Sequence, residues 1–99
     1  MIYHLTQTVT SAGTDVALAS SRTPASWAII KAIKASGAAN TGNIYVGAEG
    51  VAATTGYPLT PGQTVTLEPL AGQTYIDLAE VYIDAGTSND EVKVLYGRV

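Results

Sequence analysis

Residues 43 to 67, NIYVGAEGVAATTGYPLTPGQTVTL, decide the fold class of this chain. Polar and apolar residues alternate over 43–46, which indicates a strand. Pro58 and Pro61 exclude a helix or a central strand at that point, because proline fixes φ and lacks a backbone donor. Alternation resumes over 63–67. The stretch therefore predicts a strand, a turn, a short strand, a Pro-Gly corner and a further strand.

The rest of the chain repeats this pattern of short strands and tight turns. Alternating segments rich in Thr, Tyr, Val and Ile predict further strands. Together with those of 43–67, the predicted strands are 2–10, 15–19, 43–48, 51–55, 63–67, 74–85 and 91–99. The strand at 51–55 is predicted as a hairpin return, and 78–80 is a candidate break in 74–85. Seven to nine short strands favour an all-β fold, a single antiparallel β-sandwich of jelly-roll type, with residues 1–99 forming one domain.

Residues 25–36 fit two interpretations. Thr23 and Gly37 would cap and end a helix, whereas Trp27 and Ile29 favour a strand. The neighbouring strands favour the second interpretation. The strand pattern is imperfect, so a bulge is expected. One face of this strand would carry Ala28, Ile30 and Ala32, and the other Trp27, Ile29 and Ile33.

The chain carries few charges for its size. Only 13% of its 99 residues are charged, against about 25% in typical globular domains, and the formal net charge is −3. Either a partner covers part of the surface, or the surface is neutral and rich in Thr, Ser and Gly. No basic run predicts nucleic-acid binding, no apolar run approaches the length of a membrane span, and no export signal precedes the first strand. The absence of cysteine excludes disulfides and thiolate metal sites.

Catalytic and metal-binding patterns are weak in this sequence. His4 is the single histidine, and no serine elbow accompanies it. Asp77 and Asp84 could hold calcium with loop carbonyls, but solvated hairpin charges explain them more simply. So small a sandwich also leaves little room for a cleft between two catalytic carboxylates. We therefore expect no enzyme activity, no cofactor and no metal.

Tyrosine is the main aromatic residue, with six copies beside one tryptophan and no phenylalanine. Such rings suit interfaces and sugar stacking as well as half-buried packing. A carbohydrate-binding module that uses Tyr57, Tyr75 and Tyr82 as stacking platforms is therefore an alternative function.

Four segments together resemble a known class of protein. They are 40–47 (NTGNIYVG), 56–67 (GYPLTPGQTVTL), 81–85 (VYIDA) and 92–96 (VKVLY). In order and spacing these are similar to small β-sandwich virion proteins of tailed bacteriophages. There an ANTGNIYVG strand precedes a G-x-PL-x-PG corner and a C-terminal IYIDA strand. The resemblance covers about the last two-thirds of the chain, and in that pattern 27–35 is also a strand.

The resemblance implies a structural role in the virion. We expect a capsid decoration or cement protein that stabilises the major capsid protein lattice on the outer capsid surface, after synthesis in the host cytoplasm. A small tail or fibre-base component is the alternative. The implied partners are the major capsid protein and other copies of this chain, with a trimer guessed and a dimer possible, and neither nucleic acid nor membrane. Residues 1–12 form either an ordinary first strand or an arm that pairs with a neighbouring subunit. The expected contact residues are Tyr3, Trp27, Tyr57, Pro58 and Leu59.

Overall fold

Nine strands and one short 3-10 helix make up the part of the chain that the structure, a computed structural model, describes: residues 1–98. The last predicted strand reaches Val99, which lies outside the described residues. The 3-10 helix is Leu78–Glu80. The strands are β1 (Ile2–Val9), β2 (Val16–Ala17), β3 (Pro24–Lys31), β4 (Ile44–Gly47), β5 (Tyr57–Leu59), β6 (Thr64–Leu67), β7 (Ile76–Asp77), β8 (Tyr82–Ala85) and β9 (Asp90–Arg98).

The strands form two antiparallel sheets, which confirms the predicted all-β class and strand number. Sheet A has the order β1-β9-β3-β6, and β7 also pairs with β3. Sheet B has the order β2-β8-β4-β5. The pairs β1–β9, β2–β8, β3–β6 and β4–β5 nest inside one another along the chain, as they would in one long hairpin that is wrapped into two sheets. No helix in residues 1–98 is long and apolar enough to cross a membrane.

The core lies between the two sheets and follows from the alternation of each strand. In β9, for example, Val92, Val94 and Tyr96 are buried while Lys93 and Leu95 are exposed. Because side chains alternate between the two faces of a strand, alternate residues of the other strands also point into the core. The largest buried apolar side chains are Val9, Ile30, Ile44, Leu59, Leu78, Ile83, Val92 and Val94.

The stretch 43–67 folds as the sequence predicts, with one correction. It contains β4, a turn, β5, the Pro-Gly corner and β6. The predicted return strand at 51–55 is wrong, because the return is β5 at Tyr57–Leu59. The Ala52 carbonyl instead accepts hydrogen bonds from the N–H groups of Thr55 and Gly56, which closes a turn. Pro58 is tolerated in β5 because that strand lies at the edge of sheet B.

Both uncertain segments are resolved. Residues 24–31 form β3, and its register with β9 shifts between Ala25 and Trp27, so a strand with a bulge is confirmed. The strand ends at Lys31, so its predicted extension over 32–36 is wrong. The 74–85 segment is broken at 78–80. Asp77 causes this break, because its carboxylate accepts a hydrogen bond from the Ala79 N–H and caps the short helix.

Strand β1 pairs with β9 along its whole length, from Ile2 opposite Gly97 to Val9 opposite Asp90. In the single chain it is therefore the first strand of sheet A. Its remaining edge faces away from the sheet, since β1 is terminal in the strand order. Pairing of residues 1–12 with a neighbouring subunit stays a prediction.

Candidate interaction surfaces

The outward face of sheet A carries a group of apolar side chains. Ile2 and Trp27 flank Gly97 across the three strands, and Leu95 lies directly between His4 and Ile29 in the next row. Leu95 is 43% exposed and Ile2 is 65% exposed, while Trp27 and Ile29 are half-buried. We call Ile2, Trp27, Ile29 and Leu95 the outer apolar patch. Large apolar side chains grouped in this way are typical of a surface that meets a partner.

Gly97 leaves room for the indole of Trp27 against the sheet. A Cβ at position 97 would overlap the Trp27 ring, so only glycine leaves space for it. The bulge in β3 helps, because it turns Trp27 outward beside Ile29 while Ala25 and Ala28 both stay buried. Gly97 and the bulge in β3 thus place Trp27 on the surface.

Two lysines lie beside the outer apolar patch. Lys31 and Lys93 stand directly opposite each other on β3 and β9, in the row after Ile29 and Leu95, and both are exposed. Like charges in that position destabilise a sheet slightly. The row ends in Thr6 on β1 and Thr64 on β6. The patch is therefore bordered by neutral hydroxyls and by two positive charges.

Part of the outward face of sheet B is covered by the chain itself. Residues 11–14 turn back over it, where the Asp84 carboxylate accepts a 2.9 Å hydrogen bond from the Gly13 N–H. Residues 48–56 cover another part, where Val51 is buried against Gly47 and Gly56. The two outward faces of the sandwich are thus treated differently.

A cleft of about 810 Å³ opens between the sheets at the β5 and β6 edges. Its floor is apolar and includes Val46, Val65 and Val81, and its volume lies within the usual range for ligand pockets. The expectation that the sandwich leaves little room for a cleft is therefore wrong. Other lining residues are Tyr57, Leu67, Glu68, Leu70, Tyr75, Ile76, Asp77 and Glu80.

Tyr75 at the cleft is held by Arg22. The guanidinium lies 5.1 Å from the centre of the Tyr75 ring, and its Nη2 donates a 2.9 Å hydrogen bond to the phenolic oxygen. This hydrogen bond raises the pKa of Arg22, and the charges of Tyr75, Asp77 and Glu80 act in the same direction. Arg22 is fully exposed, so the contact orients the ring and adds little stability.

The five predicted contact residues do not lie on one surface. Trp27 is in the outer apolar patch. Tyr3 lies on the inward side of β1, where its ring stacks on Tyr96 at 5.7 Å, and it is 38% exposed. Tyr57 borders the cleft and is 62% exposed, Pro58 is exposed, and Leu59 is 1% exposed in the core. Tyr57 and Leu59 lie on the same face of β5, and Pro58 points to the opposite face, because successive residues of a strand alternate.

Two predicted sugar-stacking tyrosines share the cleft, and the third does not. Tyr57 and Tyr75 both line it. Tyr82 lies on β8 next to buried Ile83, half-buried, and faces the outward side of sheet B. The structure therefore brings together two of the three predicted platforms.

The carboxylates that were candidate calcium ligands hold loops in place. The Asp77 Oδ1 accepts hydrogen bonds from the N–H groups of Thr23 and Ala79. The Asp84 Oδ1 accepts from Gly13 and Ala85 in the same way. No group of three or more potential metal-ligating side chains occurs in residues 1–98.

The NTG residues at 40–42 also have structural roles, through hydrogen bonds to the start of β9. Asp90 is fully buried, and its two oxygens accept hydrogen bonds from the N–H groups of Thr41 and Gly42. The Asn40 carboxamide both donates to the Glu91 carbonyl and accepts from the Glu91 N–H. The sequence NTG at 40–42 is thus a clamp that joins the loop before β4 to the start of β9.

Sequence reasoning missed Ile2, Ile29 and Leu95 as candidate contact residues. The signal was present, because Leu95 alternates with Val94 and Tyr96, and Ile29 alternates with Ala28 and Ile30. An apolar residue on the polar side of an alternating strand is the pattern that would have identified them.

Comparison with known protein families, with curated proteins and with solved structures finds no match to this chain. The chain is therefore described by its own fold and surfaces, as an all-β sandwich with an exposed apolar patch on sheet A and a cleft at the β5 and β6 edges.

Proposed function

We propose that this chain is a bacteriophage virion protein that decorates the capsid and stabilises the lattice of the major capsid protein. In this proposal the sandwich is a jelly roll, a fold found in viral capsid proteins and lectins. The nested pairs β1–β9, β2–β8, β3–β6 and β4–β5 support that fold. Fold alone does not define function, so the proposal depends on the surfaces.

The observation that carries the proposal is the outer apolar patch. A leucine, two isoleucines and the single tryptophan lie together on an otherwise regular sheet face. Aromatic and apolar residues at the centre with polar residues around them are the usual composition of a protein interface. The low charge of the chain supports the same proposal, since charged residues are depleted in interface centres.

The polar surroundings of the patch suggest how binding would work. The apolar centre would lose its contact with water against a capsid subunit, while Lys31 and Lys93 would meet acidic groups of the lattice. Each decoration protein would bridge subunits through many weak contacts, and the lattice would then resist the pressure of packaged DNA. No catalytic group is required for this activity.

Co-sedimentation with capsids tests the proposal. The purified protein is mixed with particles assembled from the major capsid protein that the same genome encodes, and is then pelleted. We expect saturable binding of the wild type, and a loss of about tenfold or more in affinity for Leu95→Lys, because a charge replaces a central apolar contact. Tyr57→Lys in the cleft is the matched control and should bind normally. Absence of wild-type binding would refute the proposal.

A carbohydrate-binding module is the second candidate, favoured by the cleft. Tyr57 and Tyr75 border the same apolar space, and the fixed ring of Tyr75 suits stacking on a sugar. Titration with a glycan panel, followed by tyrosine and tryptophan fluorescence, tests this candidate. A response that Tyr57→Ala abolishes and Leu95→Lys preserves would support it. No response across the panel would remove it.

A further inference from the structure

Strand β1 differs from the other edge strands of the sandwich. Strand β2 has two residues, β5 has three and contains Pro58, and β6 has four and lies between Pro61 and Pro69. Strand β1 has eight residues, IYHLTQTV, with no proline, lysine, arginine, aspartate or glutamate. Short length, proline and charge are the features that protect sheet edges from further pairing. The β1 edge has none of them.

The hydrogen-bond pattern identifies which β1 groups face outward. The Arg98 N–H donates a 3.0 Å hydrogen bond to the Met1 carbonyl, so this opposed pair is of the hydrogen-bonded type. Such pairs alternate with non-bonded ones in an antiparallel ladder. The odd-numbered residues of β1 therefore bond to β9, and the even-numbered ones direct their N–H and C=O groups to the free edge. These are Ile2, His4, Thr6 and Thr8.

One end of this edge is already occupied. The Thr8 N–H donates to the Gln7 Oε1 at 3.0 Å, and the Gln7 Nε2 donates to the Ala17 carbonyl at 2.7 Å. A side chain thus closes the edge at Thr8. Three residues whose backbone N–H and C=O groups face the free edge remain, Ile2, His4 and Thr6, and His4 is the central one.

We infer that a second copy of the chain binds at this edge through its own β1, in an antiparallel pair about a two-fold axis. His4 lies opposite His4 of the second copy, and Ile2 lies opposite its Thr6. This register uses all three open residues of both copies, and each opposed pair exchanges two backbone hydrogen bonds. Strand β1 has no lysine, arginine, aspartate or glutamate that this register would bring against itself. A two-fold pair also closes the assembly, whereas other edge pairings leave edges that can grow.

The dimer would enlarge the surface that contains the outer apolar patch. A two-fold axis perpendicular to the sheet leaves both outward faces on the same side. The row Ile29–Leu95–His4 then continues into the same row of the second copy, so two patches lie on one continuous sheet. A partner with repeated sites would be bound twice by one dimer. The dimer itself does not depend on the capsid proposal, because it follows from the β1 edge alone.

Sedimentation equilibrium over a range of protein concentrations tests the inference. We expect a reversible monomer–dimer equilibrium for the wild type. Thr6→Pro removes one outward donor from each copy and should weaken dimerisation by about tenfold to a hundredfold. It removes no hydrogen bond to β9, so circular dichroism should show a folded sandwich. Thr66→Pro on β6 is the matched control, because Thr66 is also an exposed threonine at the other edge of sheet A. It should leave the dimer unchanged.

His4→Lys provides a second test that does not depend on proline. It places two like charges face to face at the two-fold axis and should also reduce dimerisation by about tenfold or more. The inference is overturned if the wild type is a monomer at every concentration. It is also overturned if the dimer survives both Thr6→Pro and His4→Lys, or if Thr66→Pro disrupts it equally. A dimer that ignores capsids would leave the inference intact and refute only the proposed function.

Discussion

The two outward faces of the sandwich differ in how far loops of the same chain cover them. On sheet B, the 11–14 turn and the 48–56 loop lie over the strands. Asp84 beneath the turn is 2% exposed, and Val51 of the loop is 6% exposed. On sheet A, no comparable loop within residues 1–98 shields Leu95, which is 43% exposed. Apolar residues on the outward side of sheet B therefore act in folding, whereas those on the outward side of sheet A are available to a partner. Substitutions on the two faces should therefore affect different measurements.

The largest effect is expected at Asp84 on the covered face. Asp84→Ala leaves the N–H groups of Gly13 and Ala85 without their acceptor, and should lower the free energy of unfolding by about 2–3 kcal/mol. Urea denaturation measures this change. Asp84→Asn keeps one oxygen acceptor and should cost less. If the two variants are equally stable, these hydrogen bonds do not hold the 11–14 turn in place.

The next effect is expected at Val51, which fills the space left by Gly47 and Gly56. Val51→Ala removes buried apolar area and should cost about 1.5–2.5 kcal/mol. Thr54→Ala in the same exposed turn is the control and should change stability by less than about 0.5 kcal/mol. A cost at Val51 as small as that of the control would mean that the 48–56 loop does not cover sheet B in solution.

A smaller effect is expected at Gly97 on the open face. Gly97→Ala places a methyl group where the Trp27 indole lies, and should cost about 1–2 kcal/mol through overpacking. The displaced indole should also shift its fluorescence emission to longer wavelength. Unchanged emission together with unchanged stability would show that the ring does not rest on Gly97.

The smallest effect on stability is expected at Leu95. Leu95→Ala removes more side-chain volume than Val51→Ala, yet it should cost at most about 1 kcal/mol, because the leucine is already partly in water. Thermal denaturation of both variants under the same conditions gives the comparison directly. If Leu95→Ala is the more destabilising of the two, sheet A is not the open face.

Much of the fold could be predicted from the sequence, and much of the site could not. Strand alternation and proline positions identified β4, β6 and β9, and the imperfect alternation of 25–36 indicated a bulge without giving its position. These features depend on neighbouring residues. The partners of each strand did not follow from the sequence, because the pairing of β1 with β9 joins residues from opposite ends of the chain.

Local sequence patterns did not predict which surface residues lie next to one another. Tyr57, Pro58 and Leu59 were all predicted as contact residues, but Pro58 points to the face opposite Tyr57 and Leu59. The outer apolar patch needed the register of three strands before its four residues became neighbours. The cleft is lined by residues of β4, β5, β6 and the segment 68–81, and no local periodicity encodes how these parts of the chain come together.

The most direct test of the central claim uses Trp27, the single tryptophan of the chain, which lies in the outer apolar patch. Its fluorescence is recorded while capsids of the matching major capsid protein are added, and acrylamide quenching is measured at each step. If sheet A is the binding face, emission should shift to shorter wavelength and quenching should fall in proportion to the amount bound. Capsid binding that leaves both emission and quenching unchanged would contradict the claim.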